Sequence, residues 1–180
     1  LTAHQVGPAV ASGCPVLVKP AKDTPLSCKS FVEILYEAGL DERWCRFVPC
    51  SNDVAEQMVI DSRTAFFSFI GSARVGWMLR SKLAPGTRLA LEHGGAAPVL
   101  VDEGVASGKV IPPLLKGGFY HSGQVCVSVQ RVFVPRAELP DFAAELAEGA
   151  EALTVGDPTK AETQCGPLIR PAEVDRVASW

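Results

Sequence analysis

Basic excess is missing from this chain of 180 residues. Seventeen Lys and Arg stand against twenty Asp and Glu, for a net charge of −3. A protein that grips nucleic acid carries a positive footprint, so that partner class is set aside. Long apolar runs are missing too. No uninterrupted stretch reaches the ~18 residues that a membrane-spanning helix needs, and no membrane partner is expected. Histidine is scarce, with only His4, His93 and His121. The six cysteines (Cys14, Cys28, Cys45, Cys50, Cys126 and Cys165) show no Cys-x-x-Cys spacing, which argues against a structural zinc site. No basic stretch precedes an apolar one at the start, so no signal peptide is visible. The first residue is Leu1 rather than Met, which hints that the natural N-terminus lies elsewhere and that this is a mature piece, an engineered piece or a fragment.

The even cysteine count invites a disulfide framework. A chain of this length and apolar content does not need such staples, and nothing marks it as secreted. Apart from Cys126, these cysteines read as small buried hydrophobes. Apolar residues make up 47% and charged residues 21%, the balance of a globular chain that buries a core rather than a disordered tail. The length suits one ordinary domain, or pieces of two.

Short apolar runs alternate with helical patterns. Pro15-Val16-Leu17-Val18 reads as a strand buried on both faces. Asp23-Thr24-Pro25 reads as a helix start, with a capping side chain before a proline. Phe31, Ile34, Leu35 and Ala38 follow at helical spacing, and Gly39 is a natural stop. Phe47-Val48 lies in a second strand, and Asn52 or Asp53 caps a second helix. Ala65 to Ile70 is an aromatic-rich strand, followed by a helix through Val75, Met78 and Leu79. Arg88 to Leu91 and Pro98 to Val101 read as two more strands. The alternation is that of parallel βαβ units. Beyond Gly94-Gly95, a helical stretch is expected to break at Pro112-Pro113. Arg131 to Val134 reads as a strand, and an amphipathic helix covers Glu138 to Leu153. The seam is placed at the glycine pair, dividing the chain into residues 1–94 and 95–180.

Three places carry chemistry. Gly71-Ser72-Ala73-Arg74-Val75-Gly76 joins the aromatic strand to a helix. A glycine turn there offers free amides and the positive dipole end to a phosphate, or is simply an ordinary strand-to-helix turn. Glu92 ends a strand just before His93-Gly94-Gly95, where sites form in open α/β sheets. It is either a general base or a solvated strand-end charge. Cys126, in the glycine-flanked run His121-Ser122-Gly123-Gln124-Val125-Cys126, is placed as a thiolate nucleophile would be.

Together these residues resemble the aldehyde dehydrogenase superfamily. Val6-Gly7-Pro8-Ala9 and Val16-Leu17-Val18-Lys19-Pro20-Ala21, with Thr24-Pro25-Leu26, resemble its cofactor-domain core. Phe69-Ile70-Gly71-Ser72, continuing to Val75-Gly76, resembles its phosphate-binding turn. Leu91-Glu92-His93-Gly94-Gly95 resembles its glutamate motif, and Gly123-Gln124-Val125-Cys126 its nucleophile motif. Val155-Gly156-Asp157-Pro158 and Cys165-Gly166-Pro167-Leu168-Ile169 are similar to later landmarks. The motifs occur in the family's order over essentially the whole chain, with Glu92 and Cys126 34 positions apart.

The resemblance implies an α/β fold of open parallel sheets with flanking helices. Residues 1–94 would be the C-terminal part of a Rossmann-like NAD(P)-binding domain, and 95–180 the N-terminal part of a catalytic domain. It implies an oxidoreductase that turns an aldehyde into a carboxylic acid with NAD or NADP, through a thiohemiacetal and a thioester on Cys126. Glu92 would activate the hydrolytic water. Lys19 and Lys22 would face the adenosine ribose. Gly71, Ser72, Val75 and Gly76 would hold the pyrophosphate, and His93 and Gly94 would approach the nicotinamide. It also implies an asparagine upstream of Leu1, a Glu and a Phe beyond Trp180, a cytoplasmic setting and a homodimeric or homotetrameric parent. No metal is implied.

Two departures from the family pattern stand out. His93 replaces a leucine. Lys22 replaces a glutamate that binds ribose hydroxyls in many NAD-preferring members; a lysine cannot accept those bonds but can pair with a 2′-phosphate. Two other readings stay open: a cofactor-independent thiol hydrolase or esterase using Cys126 with His121 as base, and a non-catalytic fragment that only binds or scaffolds.

Overall fold

Three pairs of parallel strands organise the chain, and the computed structural model describes all of residues 1–180. The chain forms two units, Leu1–His93 and Gly94–Trp180.

The first unit begins with helix α1 (Thr2–Ala11), which runs through Gly7 and Pro8. Strand β1 (Val16–Val18) follows, then α2 (Leu26–Glu37) and β2 (Cys45–Phe47). β1 and β2 pair in parallel, Val16 opposite Cys45 and Val18 opposite Phe47. A core of Val6, Val18, Cys28, Val32 and Cys45 joins all four elements. Val6 and Cys45 have no exposed surface, so α1 is held by its apolar face despite two poor helix formers. The Tyr36 hydroxyl donates to the Cys45 carbonyl, tying α2 to β2. Burial, with Cys28 adding to it, pushes the Cys45 thiol up, which makes it a packing group rather than a nucleophile.

Helix α3 (Asn52–Ile60), strand β3 (Phe66–Ile70), helix α4 (Ala73–Arg80) and strand β4 (Arg88–Glu92) complete the unit. β3 and β4 are parallel over five residues, from Phe66 opposite Arg88 to Ile70 opposite Glu92. The Gln5 amide donates to the Ser68 carbonyl at 3.1 Å and to its hydroxyl at 3.0 Å, fastening α1 to β3.

Three sequence expectations need correction here. The cap of α3 is Ser51, whose hydroxyl accepts from the Val54 amide, rather than Asn52 or Asp53, which lie inside the helix. The cap of α2 is Pro25 itself, which offers no side-chain cap bond, rather than Asp23 or Thr24. The second strand is Cys45–Phe47, ending one residue before Val48, although Val48 still donates to the Val18 carbonyl at 2.9 Å.

The second unit holds β5 (Pro98–Leu100), α5 (Ser107–Phe119), β6 (Arg131–Phe133), α6 (Leu139–Glu151) and α7 (Pro171–Ala178). β5 and β6 pair in parallel, Val99 opposite Val132. Helix α5 does not break at Pro112-Pro113 but runs through both. Each proline removes a backbone donor, a cost of several kcal/mol when uncompensated. Here Ile111 and Leu114, on the other face, pack with Phe142 of α6 in the unit's core and hold the helix together. No helix in either unit is long and apolar enough to cross a membrane.

Candidate active site

In the first unit, the end of β3 passes into α4 through Gly71 and Ser72. Ser72 is extended (φ −71°, ψ 143°) and makes no side-chain cap bond. The first helical bond is Gly76 N–H to the Ser72 carbonyl at 3.0 Å. The amides of Ala73, Arg74 and Val75 therefore have no partner within the helix. The first turn holds no acidic side chain. Free amides, the dipole's positive end and the absence of a carboxylate suit a diphosphate.

Gly76 is buried, and its lack of a side chain has a definite reason. A Cβ there would lie 2.3 Å from His93 Nε2 and 3.2 Å from the Phe69 ring. His93 also meets the Trp77 ring edge-on, with centroids 5.5 Å apart. Its Nε2 is buried without a hydrogen-bond partner. The chain thus packs an imidazole against the first turn of α4. Glu92 is exposed at the C-terminal end of β4, and its carboxylate carries no ion pair or hydrogen bond. Its carbonyl accepts from the Gly71 amide at 3.1 Å, so one residue anchors the strand end and the turn together. Lys19, just after β1, is half-buried, while Lys22 is exposed before α2. An open groove of about 540 Å³ follows Lys22, lined by Asp23 to Ser27.

In the second unit, α5 ends at Phe119 and the chain turns sharply before Cys126. His121 (φ 49°), Ser122 (φ 58°) and Gly123 (φ 72°) are three consecutive left-handed residues. Only glycine adopts this freely; each of the other two costs about 1–3 kcal/mol. The turn is held from both sides. The Gln124 amide donates to the His121 carbonyl at 2.8 Å, and its oxygen accepts from the Ile169 amide at 2.8 Å. The Ser122 hydroxyl donates to the Gly166 carbonyl, and the Cys165 thiol lies 3.6 Å from that hydroxyl. On the other side of Cys126, a Cβ on Gly95 would lie 3.2 Å from the Cys126 carbonyl, and Gln130 donates to the Gly95 carbonyl at 2.8 Å. Cys126 itself is half-buried and free. The His121 ring lies against Tyr120, tilted by 44° with centroids 3.9 Å apart, and bonds neither Cys126 nor a carboxylate. The arrangement expected of a thiol hydrolase is therefore not formed.

A groove of about 450 Å³ is lined by Pro113, Lys116, Gly117, Tyr120, Val125, Val127 and Ser128, without Cys126. Sequence reasoning singled out Gly123-Gln124-Val125-Cys126 but not what supports or surrounds it. The bonds from Gln124 and Ser122 reach 44 or 45 positions along the chain, and no local pattern signals them.

The aldehyde dehydrogenase family pattern matches residues 1–180. The betaine aldehyde dehydrogenase of Cereibacter sphaeroides is 37% identical over 177 residues, which cover 98% of this chain and 37% of the relative. The 3-sulfolactaldehyde dehydrogenase of Priestia aryabhattai is 34% identical over 181 residues, covering 100% and 38%. Among solved structures, succinate-semialdehyde dehydrogenase from Burkholderia pseudomallei superposes with a TM-score of 0.91 at 33% identity, covering 99% of this chain and 37% of that one. A glyceraldehyde-3-phosphate dehydrogenase from Methanocaldococcus jannaschii, complexed with NADP, has a TM-score of 0.89 at 29% identity, covering 99% and 40%. A betaine aldehyde dehydrogenase from Staphylococcus aureus, in complex with NAD+, has a TM-score of 0.89 at 26% identity, covering 97% and 35%. The chain thus spans under two-fifths of the length of the curated relatives it matches. With the α/β fold, the ordered motifs and the family match agreeing over all 180 residues, the chain belongs to the aldehyde dehydrogenase family.

Proposed function

We propose that the protein carrying this chain oxidises an aldehyde to a carboxylic acid with NAD+ or NADP+. In this reading residues 1–94 are the C-terminal part of the cofactor domain and residues 95–180 the N-terminal part of the catalytic domain. The observation that carries the proposal is the braced left-handed turn that presents Cys126. Strain held at such cost by long-range bonds is characteristic of functional turns.

Cys126 adds through its thiolate to the aldehyde carbon, forming a thiohemiacetal. Its own backbone N–H donates to the developing oxyanion. When bound, the nicotinamide supplies the hydride acceptor. Lys19, Ser72 and the turn from Gly71 to Gly76 hold the cofactor, with His93 and Gly94 on the nicotinamide side. Glu92, unpaired at its strand end, takes a proton from water as that water attacks the thioester. The acid leaves and Cys126 is regenerated.

The test is steady-state cofactor reduction by the intact protein with an aldehyde present. Cys126→Ala abolishes it while cofactor binding persists, and Glu92→Gln slows turnover by impairing deacylation. Full turnover in Cys126→Ala, or cleavage of esters with no cofactor-linked aldehyde oxidation, would sink the proposal.

A further inference from the structure

Two consecutive residues at the end of β4 hold the two ends of the turn from Gly71 to Gly76. Glu92 takes the near end, where its carbonyl accepts from the Gly71 amide at 3.1 Å. His93 takes the far end. Its imidazole lies so close to Gly76 that a Cβ there would fall 2.3 Å from Nε2 and 3.1 Å from Cδ2. The Phe69 ring serves both ends: a Cβ on Gly71 would lie 2.6 Å from it and a Cβ on Gly76 3.2 Å. Trp77 meets the imidazole edge-on, at 67° between the rings. A close-packed wall of this kind leaves the turn no room to sink towards the strands. The His93 Nε2 is buried without a hydrogen-bond partner, so packing rather than a bond from that atom holds the ring. An apolar side chain of similar bulk would not carry the cost of the unpaired nitrogen.

We infer that His93 is a positioning residue for the cofactor: its imidazole is a wedge that fixes the first turn of α4 against the end of β4. The free amides of Ala73, Arg74 and Val75 are thereby held in place relative to the strand end that carries Glu92. A dinucleotide gripped at its diphosphate by those amides stays in register with the general base only while the wedge is in place. The imidazole touches neither the diphosphate nor the reacting atoms; it acts through Gly76. The inference rests on the proposed aldehyde oxidation, and deepens it by naming the residue that couples the phosphate turn to the base.

Two readouts on the intact protein test it. The first is the dissociation constant of ADP-ribose, which carries the diphosphate but no nicotinamide, beside that of adenosine, which carries neither. His93→Ala weakens ADP-ribose about two- to tenfold, the range for an anion displaced from a helix N-terminus, and changes adenosine by less than about twofold. His93→Leu keeps the bulk, so ADP-ribose stays within about twofold of wild type while the thermal midpoint rises, because the unpaired nitrogen is gone. His93→Val, of intermediate bulk, falls between the two and stands in for His93→Ala if that variant does not fold. Gly76→Ala has no room in wild type and weakens ADP-ribose. In the His93→Ala background the same methyl enters vacated space and recovers much of the lost affinity.

The second readout is steady-state kinetics, in which His93→Ala raises KM for the cofactor more than KM for the aldehyde. ADP-ribose affinity unmoved by loss of bulk at His93 overturns the wedge, whatever happens to the thermal midpoint. So does an equal loss of ADP-ribose and adenosine, which marks a general loosening of the unit rather than a displaced phosphate turn. ADP-ribose binding that follows the series in a protein that oxidises no aldehyde overturns the oxidation reading and supports the wedge. A wild type that binds no ADP-ribose overturns both.

Discussion

Replacing Gln124 by alanine removes the brace between the nucleophile turn and the segment from Cys165 to Ile169. The side chain makes two hydrogen bonds of 2.8 Å, one donated to the His121 carbonyl and one accepted from the Ile169 amide. At about 0.5–1.5 kcal/mol net for each, the pair contributes about 1–3 kcal/mol, with the lower half apt for an exposed glutamine. Against this stand two non-glycine left-handed residues, together costing about 2–6 kcal/mol. The Ser122 bond to Gly166 and the packing of α5 supply the remainder. Losing about 1–1.5 kcal/mol here shifts the local equilibrium about five- to tenfold towards a relaxed turn. Amide hydrogen exchange is the direct assay. Exchange at Ile169 should quicken by about that factor, while strand amides such as Val132 keep their protection. Gln124→Glu separates the two bonds. It retains an acceptor for Ile169 but cannot donate to His121, so Ile169 stays protected while the turn loosens. In turnover, Gln124→Ala should lower kcat with KM little changed, because the thiol is mispositioned rather than the groove altered. Unchanged exchange at Ile169 together with unchanged kcat would refute the reasoning.

The remaining expectations concern the first unit. Gly76→Ala places a Cβ 2.3 Å from His93 Nε2, so the thermal midpoint should fall despite the better helix former, reflecting an overpacking cost of about 1–3 kcal/mol. Adding His93→Ala should restore part of it, and an unchanged midpoint in the single variant would contradict the packing account. The Arg63 guanidinium holds the Asp61 carboxyl well below the usual carboxylate range. Its contribution is therefore present above pH ~4 and lost as pH falls, so acid denaturation curves should be steeper for wild type than for Asp61→Asn below that pH. Matching slopes would remove the ion pair from the account. Lys22 is exposed, so Lys22→Glu should lower the ratio of catalytic efficiencies, NADP over NAD, by up to about fivefold. A ratio unmoved by this charge reversal would show that Lys22 does not meet the cofactor.

The α/β class was legible because its signals are local. Val16 to Val18 and Phe66 to Ile70 are branched or aromatic runs between turn residues, and both are strands with parallel partners. Phase within one residue was not legible. Ser51, Asn52 and Asp53 are all competent caps, and only the structure shows that Ser51 reaches the Val54 amide. Helix α1 escaped notice because Gly7 and Pro8 read as breakers, whereas the complete burial of Val6 overrides their propensity. The same override carries α5 through Pro112 and Pro113, where Ile111 and Leu114 find Phe142 across a separation no window spans. Helix α7 is amphipathic in sequence yet buries none of its residues in this chain. At the nucleophile, the short motif points to Cys126 by itself. The left-handed turn and its bonds to Gly166 and Ile169 are tertiary facts that became visible only in the folded chain.

The central claim is that Cys126 carries the acyl group and Glu92 removes it. The direct measurement is the mass of Glu92→Gln protein mixed with aldehyde and oxidised cofactor, quenched before turnover completes and digested to locate the adduct. The account predicts an acyl group on the peptide containing Cys126, formed together with a burst of reduced cofactor, and none in the Cys126→Ala variant. An acyl group on Cys165 or another thiol, or a Glu92→Gln protein that turns over at the wild-type rate with no adduct, would contradict it.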